Sequence, residues 1–253
     1  MPEPVEFPIL EFDPEREAVI EPGAWHRKGG TPERAVYCFF PEVVESIGGR
    51  GTVLREFRTE IGRHPLYEIE HKGRRLALLH AGVGAPASAF LIEILIARGC
   101  NKIVACGGAG ALIDLALGHP IVVTAAVRDE GTSYHYLPPG REVEAEAGGV
   151  AALKRVLEER DIPFEAGKTW TTDGVYRETK GKVERRRAEG CITVEMEAAA
   201  LIAVARFRGI DFAQVLYAGD SLAGEVWDSR GWDKHVSSRE NLFWIAADTA
   251  ATW

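Results

Sequence analysis

Two carboxylates flank a methionine in Thr193-Val194-Glu195-Met196-Glu197-Ala198-Ala199-Ala200-Leu201, where a short apolar run meets an alanine-rich one. Acids at the start of a helix are favoured by the backbone dipole, so a capping cluster is one reading. The same placement suits recognition of a vicinal diol, because one carboxylate can accept two hydroxyl donors in its plane. Asp220, in Gly219-Asp220-Ser221, directly follows the strand-like run Phe212 to Ala218. An aspartate at the carboxyl end of a buried strand can serve as a general acid once its pKa is raised. Two glycine-rich stretches also follow strand-like runs: His80-Ala81-Gly82-Val83-Gly84-Ala85-Pro86 and Gly107-Gly108-Ala109-Gly110-Ala111. Both read as turns, which could present backbone N–H groups to an anion or simply pack tightly. Arg128 to Tyr136 and Thr171 to Glu178 add two loops dense in donors and acceptors.

These residues need elements to position them, and the chain supplies an alternation of strand-like and helix-like segments. Arg34 to Phe40, Lys102 to Cys106, Pro120 to Ala126, Ala166 to Thr172, Ile192 to Val194 and Phe212 to Ala218 read as strands. Leu66 to Glu70 and Arg75 to His80 read as a hairpin around His71-Lys72-Gly73. Helices are expected at Pro41 to Ile47, Pro86 to Arg98, Gly149 to Arg160, Lys182 to Glu189, Glu197 to Arg208 and Glu240 to Ala251. Phe90, Ile94 and Ala97 fall on one face of the second of these, and Val150, Leu153, Val156 and Leu157 on one face of the third. Gly99 and Gly209 stand where helix ends are expected. The expected fold class is α/β, a twisted mixed sheet with helices on both faces. Residues 1–33, rich in Pro, Glu and Gly, read as an extended arm, and residues 34–253 as a single domain.

Composition narrows the function classes. The apolar share of 46% and charged share of 27% in 253 residues describe a chain that buries a core. No apolar run approaches the length of a membrane span, and no secretory leader pattern opens the sequence, so a cytoplasmic protein is expected. A net charge of −8 argues against nucleic-acid binding through phosphate neutralisation. Cys38, Cys100, Cys106 and Cys191 are too few and too scattered for a disulfide scaffold, and no metal-ligand spacing occurs; they read as buried thiols.

Together, Val194 to Leu201 (VEMEAAAL), His80 to Ala89 (HAGVGAPASA), Ala105 to Leu112 (ACGGAGAL) and the spaced Asp220 resemble the nucleoside phosphorylase superfamily. That group includes purine nucleoside and uridine phosphorylases and methylthioadenosine/S-adenosylhomocysteine nucleosidases. The resemblance runs from about residue 34 to residue 250. It implies cleavage of an N-glycosidic bond with no metal or organic cofactor, inorganic phosphate as co-substrate, and a homo-oligomer, either a dimer or a hexamer built as a trimer of dimers. Carried over by position, Glu197, Met196 and Glu195 would form the ribose site and Asp220 would be the catalytic acid. Val175, where the family keeps an aromatic, and Gly110 would lie against the base. Gly84 and Gly108, with Arg63, Arg128 and Arg177, would face phosphate. Asp220 leans toward a purine-like base, whereas Ala126 to Pro138 looks more like the corresponding loop of uridine phosphorylases.

Two phosphate signals of the family are replaced. Phe39-Phe40-Pro41-Glu42 stands where the GDPxR loop is expected, and Ala105 stands at the position of an arginine. Phosphorolysis to free base and ribose 1-phosphate is the leading expectation. A hydrolytic nucleosidase and a non-catalytic nucleoside-binding module are the alternatives. Trp227 and Trp232, in Glu225 to Asp233, read as a lid beside Asp220 or as a subunit contact.

Overall fold

The protein was analysed as a computed structural model, which describes residues 5–26 and 28–253. Ten strands form one sheet: β1 (Arg34–Cys38), β2 (Thr52–Thr59), β3 (Gly62–His71), β4 (Arg74–His80), β5 (Lys102–Ala111), β6 (Pro120–Asp129), β7 (Glu142–Glu144), β8 (Glu165–Thr172), β9 (Cys191–Glu195) and β10 (Asp211–Ser221). The helices are α1 (Pro22–Trp25), α2 (Pro41–Gly48), α3 (Ala85–Ala97), α4 (Ala147–Glu159), α5 (Lys180–Ala188), α6 (Ala198–Arg208) and α7 (Val236–Thr252). The strand order is β10-β6-β8-β9-β5-β1-β4-β3-β2, and β10 also pairs with β5, so five strands close into a ring. β7 pairs with β6 at the side.

Period-two alternation sorts the buried residues onto two faces. Ala35 and Tyr37 of β1 join a core covered by α3 and α6, while Val36 and Cys38 join one covered by α2, α4 and α7. The expected mixed sheet with helices on both faces is therefore what forms. All four cysteines are free and buried. In α4 the expected face is buried through Leu153, Val156 and Leu157, and the Glu146 side chain caps its first turn by accepting from Gly148 N and Gly149 N. α6 is buried at every position from Ala198 to Ala205, which its small side chains permit, and Gly209 closes it in the left-handed region at φ 71°.

Two expectations need correction, and one strand was not foreseen. Gly107 to Ala111 is not a turn: β5 runs straight through it, paired with β10 from Lys102 to Ala111. Glycine is needed there because neighbours fill the space. A Cβ on Gly107 would sit 3.0 Å from the Phe39 ring, one on Gly108 3.1 Å from the Tyr217 ring, and one on Gly110 2.7 Å from Leu222. In α3, Phe90 is 54% exposed because Leu91, Ile92, Ile94 and Leu95 carry the core contacts instead. β2 carries no alternating apolar signal, since it is a largely exposed strand rich in Arg and Glu.

Among the described residues, no helix is long and apolar enough to cross a membrane, and no three metal-ligand side chains gather. Before β1, the described residues hold only a 3₁₀ turn at Pro8–Leu10 and the short α1.

One buried ion cluster ties the β3–β4 turn to two helices. Asp248 of α7 is 2% exposed and accepts from His71 Nε2 at 2.5 Å, Lys72 Nζ at 2.8 Å and Arg160 Nε at 2.8 Å. Burial alone would raise this carboxyl, but the bonds from Lys72, His71 and Arg160 hold it below the ordinary aspartate value. A carboxyl depressed in the folded state stabilises above its unfolded pKa of about 3.9 and loses that contribution as pH falls toward the folded value. Asp248→Asn is expected to cost roughly 2–4 kcal/mol at neutral pH and to flatten the acid limb of stability. Urea midpoints measured at neutral pH and near pH 3 check both effects.

Candidate active site

The parallel strands β4, β1, β5 and β10 end at one edge of the sheet, where open α/β folds place their ligands. β9 meets β5 only at Gly110↔Val194 and Ala111↔Thr193, which brings the end of β9 to the same place. A cleft of about 570 Å³ opens there. It is lined by Met196, Glu195, Glu197, Asp220, Val175, Gly108 and Gly110, all predicted from the sequence, and by residues that the sequence did not single out.

The β9–α6 junction holds the two glutamates in different states of use. Glu195 accepts from Glu197 N at 2.7 Å and Ala198 N at 2.6 Å through one oxygen, and from Thr171 Oγ1 at 2.6 Å through the other. It is the capping carboxylate of α6, and both oxygens are spoken for. Glu197 accepts Gly84 N at 2.6 Å on one oxygen and Met196 N at 3.3 Å on the other. Each of its oxygens keeps a lone pair for a hydroxyl donor. Burial pushes both carboxyls upward, and the charge of Glu195 adds to the rise at Glu197.

The first glycine loop is a turn, with Gly82 at φ 65° and Gly84 at φ 92°. Its expected role changes, because the Gly84 N–H that was expected to meet a free anion meets the Glu197 carboxylate. The loop thus aims a side chain into the cleft.

Asp220 lines the cleft too, and Trp227 Nε1 donates to its Oδ2 at 2.6 Å. Glu178 is on the wall near it; burial and then the Asp220 charge raise its carboxyl to about 7. Val175, 46% exposed in a 3₁₀ turn, forms part of that wall.

The three arginines assigned to phosphate from the sequence do not line this cleft. Arg128 is 6% exposed, with Nε on Ser133 Oγ at 2.8 Å and Nη1 on Pro138 O at 2.7 Å, so it braces the loop after β6. Arg177 is exposed in the 3₁₀ turn with Val175. Arg63 is exposed on β3, 3.5 Å from Glu56. The cation of the cleft is Arg239 of α7, which no motif announced. Gln214, Tyr217, Glu42 and His80 were also given no role; Trp232, read as a lid or a subunit contact, lines the cleft. His80 is no substitute cation, since burial lowers its imidazole pKa.

The family profile of the phosphorylase superfamily matches residues 33–243. The chain belongs to the phosphorylase superfamily. Within it, the chain is 28% identical over 148 residues to guanosine phosphorylase of Halorubrum lacusprofundi, covering 58% of this chain and 61% of that protein. It is 29% identical over 170 residues to uridine phosphorylase of Thermococcus kodakarensis, covering 62% of this chain and 59% of that protein. The matches therefore span about three fifths of those relatives' length. Purine nucleoside phosphorylase of Toxoplasma gondii shares the fold with a TM-score of 0.75 and 22% identity, over 87% of this chain and 91% of that one.

In this member of the superfamily, burial and then the Glu195 charge raise the proton affinity of Glu197. Glu195→Gln is expected to lower the Glu197 carboxyl pKa. Following carboxyl carbon chemical shifts across the neutral range in both proteins measures this without any ligand.

Proposed function

We propose that the chain cleaves the N-glycosidic bond of a nucleoside by phosphorolysis, giving free base and ribose 1-phosphate. What carries this reading is the presence of Glu197 and Asp220 in the lining of one cleft of about 570 Å³, a size suited to a nucleoside. As a carboxylate, Glu197 accepts the ribose 2′- and 3′-hydroxyls, while Gly84 N and Met196 N keep its oxygens from turning away. Met196, half-buried between the two glutamates, packs under the sugar.

In the reaction the bond from the anomeric carbon to the base nitrogen breaks and a bond from that carbon to a phosphate oxygen forms. The electron pair leaves with the base, and Asp220 supplies the proton or hydrogen bond that steadies it. Positioning and leaving-group protonation together account for the rate. Trp227 fixes the rotamer of Asp220 by its indole N–H. A purine-type base is favoured, because it offers a ring nitrogen for Asp220 to protonate. Val175 and Gly110 form the apolar wall against it.

We also infer a homo-oligomer, a dimer or a trimer of dimers. The exposed Val19, Ile20 and Phe90 line an open recess of about 1230 Å³ that shares no lining residue with the cleft, and a second copy would cover them.

A second reading, hydrolysis, is favoured by one observation. Glu42, Glu178, Glu195, Glu197, Asp220 and Asp233 line the cleft, with Arg239 as the lone guanidinium among the described lining residues. Incubating the protein with purine and pyrimidine nucleosides, with and without phosphate, separates the two. Ribose 1-phosphate is expected, and free ribose would favour hydrolysis. Asp220→Asn is expected to lower kcat on a purine nucleoside by about 10²–10⁴-fold. Turnover equal to the parent on every purine nucleoside would remove Asp220 from its role.

A further inference from the structure

We propose that Arg239 holds phosphate in the cleft, and that Glu42 is the counter-charge it exchanges for the incoming anion. This rests on the phosphorolytic reading and supplies the cation which that reading lacks.

Arg239 is 8% exposed, and its guanidinium carbon lies 5.3 Å from the Phe40 ring centroid and 5.2 Å from that of Trp232. Aromatic faces on both rings' sides of a guanidinium stabilise its charge and hold its plane where water is scarce. Nε donates to Tyr217 Oη at 3.3 Å and Nη1 to Glu42 Oε1 at 2.6 Å. Nη2 bonds no described residue, so the fork is only partly used.

A buried guanidinium must keep an anionic partner, because leaving it alone costs several kcal/mol. Its partner here is movable. The Glu42 side chain is 35% exposed, against 9% for Arg239. Glu42 can therefore swing into solvent and be rehydrated, whereas Arg239 cannot follow it. A phosphate arriving at the cleft replaces one carboxylate with two or three oxygens, and it can engage Nη1 and Nη2 together. The exchange keeps the buried charge paired throughout. It also solves the difficulty posed by the surrounding carboxylates, since the entering anion displaces one of them.

A second observation points independently to a polar ligand. Gln214 on β10 is 2% exposed and lines the same cleft, yet neither its amide nitrogen nor its amide oxygen has a partner among the described residues. The large majority of buried side-chain polar atoms are hydrogen-bonded, so an unpaired amide on a residue that lines a cleft points to a ligand.

The test is binding of inorganic phosphate, by calorimetry or phosphorus NMR, together with KM for phosphate and for nucleoside. Arg239→Gln is expected to weaken phosphate about tenfold or more, the loss of charge-assisted bonds. Glu42→Gln is expected to tighten phosphate, because the competing carboxylate is gone. A merely structural ion pair cannot give opposite signs; it would weaken both variants and move both KM values together, which would overturn the proposal. Arg239→Lys, the safer fold, is expected to bind phosphate between the parent and Arg239→Gln.

Parental phosphate affinity in Arg239→Gln, or a loss seen in Arg63→Gln instead, would also overturn it. So would a 5′-nucleotide that needs Arg239 while inorganic phosphate does not, since the residue would then serve a phosphate ester. A protein that releases free ribose and binds no phosphate sinks this proposal but not glycosidic cleavage. Phosphate held by Arg239 with no nucleoside cleaved keeps the proposal and sinks the reading beneath it.

Discussion

The site depends on one buried carboxylate sealed against the first turn of a helix. Glu195 takes the N–H groups of Glu197 and Ala198 and the Thr171 hydroxyl, and Thr171 in turn accepts Ala199 N at 3.0 Å. Three orphan donors of α6 are thereby satisfied without solvent. Bonds to an ionised group contribute about 1.5–3 kcal/mol each, which offsets the cost of taking a carboxylate out of water. Because these bonds fix the backbone on both sides of Glu197, its side chain has one direction to point, toward Gly84. The carboxylate of Glu197 is therefore oriented by the capping carboxylate two residues before it. The capping reading of the Glu-Met-Glu segment is realised by Glu195, while Glu197 keeps its side chain at the cleft.

The same logic of fixed charge runs across the cleft. Acids outnumber cations there, yet each has a distinct surrounding. Glu195 is held by the helix, Glu197 by a glycine turn, Asp220 by an indole, and Glu42 by the buried guanidinium. Glu178 is raised by burial and by the charge of Asp220, and Glu197 by burial and by the charge of Glu195. Neutral and anionic carboxyls can thus coexist within a few residues of one another at neutral pH.

Local signals were legible in the sequence where one element decides them. The 3.6-residue pattern of Val150, Leu153, Val156 and Leu157 marked α4, and Gly209 marked the end of α6, because helix period and left-handed caps are properties of adjacent residues. The Glu-Met-Glu segment and Asp220 could be placed in one site because the strands carrying them end at one edge. The glycines of β5 misled, since a glycine kept for close approach looks the same as one kept for a turn. Arg239 was hidden for a different reason. Its neighbours Phe40 and Glu42, Tyr217, and Trp232 come from three separate stretches, and only packing unites them. Arg128 shows the converse: a polar, loop-rich setting that suggested a ligand is satisfied by the loop's own carbonyls.

The closure of β5, β10, β6, β8 and β9 on one another has a consequence for where strand pairing could continue. Strands in a ring have no unpaired border, so the long free border of the sheet falls on β2. That strand bears Arg55, Glu56 and Arg58, and its pairing to β3 is broken by an irregularity between Val53 and Arg55. Charge and a bulge are the two devices that stop an open strand from recruiting another chain. The border that could template aggregation is thus guarded against added strands.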